Sequence, residues 1–282
     1  MFRKTIELEI GLGLGIFVWV RRIQHIHIPK CAGNSVFRGM RDALKPDRML
    51  VLDSIATYLA ARKLRPCRNE FEFESHHLEV KQVLLSFYLE QGYGLISGHL
   101  PFSPLCHEQS GDTTDFLTIL REPVERLKSH VAYLIFAQPR TSVEDYHTGK
   151  VDPGDEVIRI LEREEIGIWM ARSQTIYLGG LGKDGRADLE NRVANAIAAL
   201  DLHRIVGFDH NLEAFAAAFK TAYGQPVNVG RDNTIESVQH DRALLKRVYG
   251  VLEGSMCSRV REMCADDCRL YEAAREKFSN LA

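Results

Sequence analysis

The sequence predicts an α/β fold in three layers, with a central, mainly parallel sheet flanked by helices. Short apolar segments that read as strands alternate along the chain with segments of helical periodicity, and this alternation is typical of parallel sheets. The chain has 282 residues, of which 45% are hydrophobic and 26% are charged. This is the composition of a globular protein that can bury a full core.

Four apolar segments are predicted as strands, and helices are predicted between and after them. The strands are "QHIHI" at 24–28, "GLISGHL" at 94–100, "DFLTIL" at 115–120 and "RIVGF" at 204–208. The helices are 35–44, 121–136, 156–171, 187–201 and 210–222, with more helix from residue 235 onward. Pro123 suits a first helical turn and Gly224 a helix end. The polar segment 137–155, which contains two prolines, is predicted as a surface loop or lid.

The apolar run "IGLGLGIFVWV" at 10–20 stands apart from this pattern. It is too short to cross a bilayer, and no small-residue cleavage site follows it. We expect a buried or edge strand, with a membrane-associated or signal-like segment as the alternative. The chain is therefore divided into an N-terminal extension or extra strand at 1–22 and a single domain at 23–282.

Charge and cysteine content narrow the classes of protein. The formal net charge of -2 and the pI of about 6.6 provide no global basic field, so no nucleic-acid partner is expected. The six cysteines lack paired spacing, which favours a reducing, cytoplasmic location. Cys257, Cys264 and Cys268, with Val260 and Tyr271, are predicted to form one buried helical stripe. No metal site is predicted, because the spacing is too wide and a fourth ligand is lacking.

The segment "HIPKCAGNS" at 27–35 joins a predicted strand to a predicted helix. Such a turn points backbone N–H groups and the positive end of the helix dipole at one spot, which favours an anion. Gly33 lets the backbone approach closely, Ser35 can cap the helix or donate its hydroxyl, and Lys30 adds a mobile charge. The loop predicts a phosphate or sulfate site. It is not a Walker A loop, because no GK[ST] sequence is present.

Two further polar positions follow predicted strands, namely His99 after Gly98 and Arg121 after Leu120. Ligands in α/β folds bind at the carboxyl ends of the strands. We therefore expect Lys30, His99 and Arg121 to face one site. A neutral histidine there suits a general base, and an arginine suits a phosphate.

These segments together resemble sulfotransferases that use 3'-phosphoadenosine 5'-phosphosulfate (PAPS). The similarity is to the heparan-sulfate 2-O-sulfotransferase class and its bacterial relatives, the bacterial sulfotransferase family 2. "HIPKCAGNS" resembles the 5'-phosphosulfate loop of the family, and "LREPVERLKSHVAYL" at 120–134 resembles its 3'-phosphate motif. "SGHLPF", "ARSQTIYLGG", "VGFDHNLEAF" and "PVNVGRDN" follow the weaker family segments, in order, over residues 23 to 235.

The resemblance implies a P-loop-like fold and a PAPS-dependent sulfotransferase without a metal ion. It implies sulfation of a hydroxyl or amine on a carbohydrate, lipid or small molecule by in-line displacement. Its catalytic residues would be His99 as base and Lys30 beside the leaving oxygen. Its PAPS-binding residues would be Lys30, Cys31, Ala32, Gly33, Asn34, Ser35, Arg121, Ser129, Asn228 and Arg231.

The sequence departs from the family where Cys31 and Asn34 stand in place of threonines and Ser173 and Ile176 in place of asparagine and arginine. Two alternatives therefore stay open. One is a nucleotide phosphotransferase, which would require a Mg²⁺ carboxylate and a GK[ST] lysine. The other is a relative that binds the nucleotide and has lost catalysis. The acceptor and the oligomeric state do not follow from the sequence.

Overall fold

A computed structural model describes residues 7–8, 16–17, 21–52, 54–137, 143–230 and 242–282. In chain order the strands are β1 Glu7–Leu8, β2 Ile16–Phe17, β3 Arg22–Ile26, β4 Met49–Leu52, β5 Leu95–Gly98, β6 Thr114–Leu120 and β7 Ile205–Phe208. The last five form a central parallel sheet in the order β4-β5-β3-β6-β7. Helices flank the sheet. The predicted three-layer α/β fold is confirmed.

The helices fill the connections between the strands and the C-terminal part of the chain. They are α1 Gly33–Leu44, α2 Ser54–Leu64, α3 Glu70–Glu90, α4 Pro104–Ser110, α5 Pro123–Ala137, α6 Val143–His147, α7 Pro153–Glu162, α8 Glu164–Ala171, α9 Ser173–Gly179, α10 Arg192–Ala199, α11 Leu212–Tyr223, α12 Arg242–Glu253, α13 Cys257–Met263 and α14 Ala265–Lys277. Short 3-10 turns lie at Gly111–Thr113 and Leu200–Leu202. Parallel strands require such crossovers, which here are helical.

The four predicted strands are all present. β5, β6 and β7 fall within their predicted segments to within one residue, and β3 lies two residues earlier than predicted. Every residue of β5, β6 and β7 is buried, as expected for strands of a parallel sheet that helices cover on both faces. β4 was not predicted, because an edge strand whose residues are exposed or half-buried lacks a continuous apolar signal.

The structure corrects the interpretation of 137–155 as a loop. α6 lies within this segment and α7 begins at its end. Tyr146 is buried against the same apolar cluster as Val157 and Ile160, and the Asp152 carboxylate caps α7 by accepting from Gly154 N–H at 2.6 Å. Residues 138–142 lie outside the described part. Burial of one face therefore outweighed the local turn signals.

Two predicted helices are shorter than expected, and one ends as predicted. The segment 156–171 forms α7 and α8, which are separated at Arg163 by non-helical backbone. The segment 187–201 is helical only from Arg192, and a 3-10 turn follows it. α11 ends at Gly224, whose φ of 71° is left-handed, as its glycine predicted.

The prediction that Cys257, Cys264 and Cys268 lie on one helix is wrong. Cys257 belongs to α13 and Cys268 to α14, and Cys264 is the residue between these two helices. Cys264 is buried with Val260 in an apolar cluster, whereas Cys257 and Cys268 are half-buried. All six cysteines are free thiols. Within the described residues no group of three or more potential metal ligands occurs.

The N-terminal strands do not extend the central sheet. β1 and β2 pair antiparallel with each other, with Glu7 opposite Phe17 and Leu8 opposite Ile16. Ile16 and Phe17 are the only residues of the 10–20 run that the structure describes. Across all the described ranges, each helix is too short or too polar to cross a membrane.

The two largest apolar clusters join most of the helices to one another and to the sheet. The larger one joins the sheet to α1, α11 and α14, with Val36, Met40 and Phe215 fully buried. The second one joins α5 to α7, α8, α12 and α13 through residues such as Val131 and Val248. Full burial of such a side chain contributes about 1.5–3 kcal/mol. The second cluster holds α5 beside the carboxyl end of β6, where the predicted site lies.

Candidate active site

Three predicted site residues follow three adjacent strands. β3 lies between β5 and β6, and Ile26 of β3 is level with Gly98 of β5 and Thr118 of β6. Because the strands are parallel, the segments that follow them leave the sheet at the same edge. Lys30, His99 and Arg121 stand in these segments. This is the edge at which open α/β sheets bind their ligands.

The loop between β3 and α1 has an unusual backbone. Lys30 and Ala32 both have left-handed φ angles, of 67° and 55°, although neither is glycine. α1 begins at Gly33, and no side chain caps it at Ala32. The first bond within the helix runs from Val36 N–H to the Ala32 carbonyl at 3.1 Å. Left-handed residues directly before a helix N-terminus form a concave array of N–H groups, which is a common anion site.

Gly33 is required for a reason that the sequence did not reveal. A Cβ atom at this position would lie 1.8 Å from Cδ2 of the His27 ring, which no side chain tolerates. The prediction that Gly33 lets a ligand approach the backbone stays untested. The contact in the structure is with His27, so the glycine couples the start of α1 to the end of β3.

A row of imidazole rings runs along the site. His25 Nδ1 is 2.8 Å from Ser97 Oγ, and the rings of His27 and His99 stack with centroids 4.5 Å apart. Burial, and then the nearby Lys81 charge, lower the pKa of His99 to about 4. Burial and His99 lower the pKa of His27 to about 3. Both rings are therefore neutral at physiological pH, and His99 can accept a proton.

One ring nitrogen of His99 has no partner among the described residues. A hydrogen bond to the His27 backbone raises its pKa slightly against the larger effect of burial. His99 Nδ1 is buried and has no hydrogen-bond partner among the described residues. An unpaired buried acceptor is costly, so a ligand hydroxyl at this nitrogen would satisfy it.

Lys30 and Arg121 form one cationic group. Arg121 Nη1 donates to the Lys30 carbonyl at 3.3 Å, and its Nε lies 3.2 Å from Asp209 Oδ2 at the end of β7. Lys30 Nζ lies 4.5 Å from the centroid of the half-exposed Tyr133 ring. Burial, and then Arg121, lower the pKa of Lys30. An anion bound beside both cations would offset their repulsion, which contributes to the lowered pKa of Lys30.

Gln174 joins the segment after β6 to the loop between β3 and α1. Its Oε1 accepts from Arg121 N–H at 2.9 Å and lies 3.9 Å from Cys31 Sγ. Burial raises the pKa of the Cys31 thiol to about 12, so Cys31 is a packed thiol and not a nucleophile. Gln174 comes from "ARSQTIYLGG", whose role in the site was not predicted.

A buried ion pair between Arg126 and Asp267 joins the helices next to the site. The Arg126 side chain is fully buried, donates to the Ala171 carbonyl at 3.0 Å and lies 3.6 Å from Asp267 Oδ2. Asp267 in turn accepts from the N–H groups of Gln174 at 3.0 Å and Thr175 at 2.8 Å, at the start of α9. Arg126 thus joins α5 to the end of α8 and does not face the site.

Of the remaining predicted site residues, some lie on α1 and α5 near the loop, and the others follow α11. Ser129 is buried on α5, one helical turn before Tyr133, and Ser35 is buried in the first turn of α1, while Asn34 is exposed.

Asn228 is exposed, and its carbonyl lies beside Gly39, where an added Cβ would come within 2.5 Å of it. Gly39 is about 9 Å along α1 from the loop, so the described contact of Asn228 is away from the loop. Arg231 lies outside the described residues.

Lys81 and Tyr177 are site residues that the sequence analysis missed. Lys81 is 4% exposed, and its Nζ lies 3.4 Å from the Tyr177 hydroxyl. The Tyr177 ring lies 6.1 Å from the His99 ring. Burial lowers the pKa of Lys81 to about 8. A signal was present, because Lys81 stands between Leu78 and Leu85 on the apolar stripe of α3.

The arrangement combines a concave backbone loop, two cations and a neutral histidine at one edge of the sheet. It can bind an anion at the loop and accept a proton from a neighbouring ligand at His99. No protein-family model matches this chain, and no curated protein matches it.

Proposed function

We propose that the chain is a sulfotransferase that moves a sulfuryl group from PAPS to the hydroxyl or amine of an acceptor. The observation that carries the proposal is the convergence of the left-handed loop around Lys30, the Arg121 guanidinium and the neutral His99 ring at the ends of β3, β6 and β5. This set provides separate sites for an anionic donor and for a proton acceptor.

The donor would lie across the loop and the start of α5. The N–H groups at the start of α1 suit the 5'-phosphosulfate, and Arg121 with Ser129 suits the 3'-phosphate. Cys31, Ala32, Asn34 and Ser35 would contribute backbone contacts, because the motif threonines at positions 31 and 34 are absent. Arg231, which lies outside the described residues, stays a predicted contact to the nucleotide, whereas Asn228 contacts α1 at Gly39 instead.

The transfer step balances with the residues named. The acceptor oxygen forms a bond to sulfur while the bond from sulfur to the 5'-phosphate oxygen breaks. His99 takes the acceptor proton, and negative charge develops on the leaving phosphate oxygen, where Lys30 stabilises it. The products are the sulfated acceptor and adenosine 3',5'-bisphosphate. The step as written assigns no role to a metal ion.

The phosphotransferase alternative is less well supported. It requires a carboxylate for Mg²⁺ beside the phosphates, and a carboxylate beside the loop cations, Asp209, is already 3.2 Å from Arg121. The inactive-relative alternative rests on Cys31 and Asn34. It differs from the proposal only in lacking transfer.

Nucleotide binding tests the first alternative. We expect adenosine 3',5'-bisphosphate to raise the Tm, because a ligand of the native state stabilises it by RT ln(1 + [L]/Kd), and we expect no shift with ATP·Mg. Arg121→Gln should abolish the shift, whereas Arg186→Gln, at an exposed arginine in a distant turn, should retain it. A shift with ATP·Mg alone would favour the phosphotransferase.

Transfer of radiolabelled sulfate from PAPS to a panel of carbohydrates, lipids and small molecules tests the second alternative. We expect incorporation that falls by about 10²–10⁴-fold in His99→Ala, the contribution typical of a general base. His147→Ala, at an exposed histidine, is the matched control. Bisphosphate binding without incorporation into any acceptor would favour the inactive relative.

The proposal includes a cytoplasmic location. Six free thiols suit a reducing compartment. Residues 10–20 remain a candidate for membrane association, which fractionation of the full chain and of a chain without residues 1–20 would test.

A further inference from the structure

A second concave site lies between α3 and the helices α8 to α10. It is a cavity of about 310 Å³, within the range of small-molecule pockets. Its wall is mainly apolar and includes an indole. The apolar lining residues are Phe71, Ile168, Trp169, Met170, Ile176 and Leu189. This cavity is not part of the loop site, whose predicted residues do not line it.

The acidic side of the cavity is already paired. Glu70 accepts from Arg62 Nη2 at 2.8 Å. Glu74 Oε2 lies 3.5 Å from Nδ1 of the buried His77. Burial lowers the pKa of His77, so this ring is a neutral donor. Both carboxylates therefore have a protein partner on α2 or α3.

The basic side of the cavity has donor groups without an acceptor. Arg172 and Arg192 share a single carboxylate, Asp266, with Arg172 Nε at 3.1 Å from Asp266 Oδ2. In the described part of the chain, Arg192 Nε is buried without a hydrogen-bond partner. Arg172 is 29% exposed, and none of the described residues accepts a hydrogen bond from its terminal nitrogens. These donor groups are therefore left for a ligand.

We propose that this cavity binds a small apolar molecule that carries an anionic group. The apolar body fills the space against Trp169 and Ile168, and the carboxylate, sulfate or phosphate lies on the guanidinium groups of Arg172 and Arg192. The bidentate donor geometry of arginine favours a planar or tetrahedral oxyanion. The proposal goes beyond sulfuryl transfer and stands if that function fails.

The fluorescence of Trp169, in the wall of the cavity, can be used to measure binding. The chain has two tryptophans, Trp19 and Trp169, so in a Trp19→Phe background the fluorescence comes from Trp169 at the cavity. Three matched probes share one apolar body: phenylbutyrate, phenylbutylamine and phenylbutanol. We expect phenylbutyrate to bind at least tenfold more tightly than either of the other two. Equal affinities, tighter binding of the amine, or no response to phenylbutyrate would overturn the proposal.

Variants test the assigned groups. In Arg172→Gln, the affinity for phenylbutyrate should be at most threefold higher than the affinities for the amine and the alcohol. Arg186→Gln, at a residue outside the cavity, should keep the full preference for phenylbutyrate. Glu74→Gln provides a second variant if Arg172→Gln does not fold, and we expect it to keep or increase the affinity for phenylbutyrate. A loss of anion binding in Glu74→Gln, or full preference in a folded Arg172→Gln, would contradict the assignment.

Discussion

At the scale of single residues, burial sets the chemistry of the candidate site. Burial is the largest cause of the lowered pKa of Lys30, His27 and His99 alike, and neighbouring cations act in the same direction. These groups are therefore held closer to their neutral forms than they would be in water. Strongly perturbed groups in a cleft are typical of functional sites.

The pH dependence of the proposed transfer follows from His99. Its pKa of about 4 means that the base stays neutral down to that pH and that activity is lost as the pH falls through it. We expect the acid limb of kcat/KM, which reports the free enzyme, to lie well below the ordinary histidine value of about 6.5.

Lys81→Met tests the cause of this shift. The positive charge of Lys81 lowers the pKa of His99, so its removal should raise that pKa and move the acid limb to higher pH. Lys128→Met is the control, because Lys128 is paired with Glu125 at 2.7 Å and Glu253 at 2.6 Å. An unmoved limb in Lys81→Met would disprove the coupling. NMR titration of His99 makes the same comparison without turnover.

At the scale of secondary-structure elements, glycine positions decide how closely the elements approach. Gly33→Ala would push a methyl group into the His27 ring, which must move or force α1 away from β3. We expect a loss of about 1–3 kcal/mol in the free energy of unfolding, the usual cost of overpacking, and weaker bisphosphate binding.

Gly250→Ala is the matched control for this prediction. Gly250 lies within α12, and an added Cβ would meet nothing within 4 Å. Alanine is favoured over glycine inside a helix, so this variant should gain about 0.5–1 kcal/mol. Urea titration measures both variants, and destabilisation of equal size in the two would show that the contact with His27 is unimportant.

The joint between α5, α8, α9 and α14 depends on one buried carboxylate. Asp267→Ala would leave the Arg126 charge buried without its acidic partner and would uncap α9. We expect a loss of about 3–5 kcal/mol. Asp201→Ala, at a 69% exposed aspartate paired with Lys277, should cost about 1 kcal/mol or less.

A double variant separates charge burial from packing at this joint. Arg126→Met with Asp267→Leu removes both charges, so it should recover part of the stability that Asp267→Ala loses. Equal stability of the single and double variants, measured by urea titration, would argue against an uncompensated charge as the cause.

At the scale of the whole molecule, buried neutral histidines make stability depend on pH. Burial lowers the pKa of His99 and His203 to about 4, of His27 and His130 to about 3, and of His25 well below 6.5. Below the unfolded pKa of about 6.5, the unfolded chain therefore binds more protons than the native one. Stability is fully present above that pH and is lost as the pH falls toward the folded values.

The expected size of this effect is large. Each such histidine changes the free energy of unfolding by about 1.4 kcal/mol per pH unit over this range. The summed change from several histidines is comparable with the total stability of a protein, about 5–15 kcal/mol. We expect the free energy of unfolding, from urea titrations at pH 7.5, 6.5 and 5.5, to fall at each step. Constant stability between pH 7.5 and 5.5 would show that these rings titrate normally.

The sequence by itself determined the α/β class, its buried strands and the placement of Lys30, His99 and Arg121 after strands that end at one sheet edge. Apolar runs and turn residues are local signals, and parallel strands bring their carboxyl ends to one side. The edge strand β4 and the helix α6 were missed, because one lacks a continuous apolar run and the other depends on the burial of Tyr146.

Only the tertiary structure decided the surroundings of those residues. Four contacts follow from how the chain packs. They are the His27 ring against Gly33, Gln174 with the Arg121 N–H, Asp267 with the N–H groups at the start of α9, and Lys81 with Tyr177. Three of these contacts join residues that are 53 to 96 positions apart in the chain. Burial, the largest cause of the pKa shifts of Lys30, His27 and His99, is a property of the packed molecule and not of any local segment.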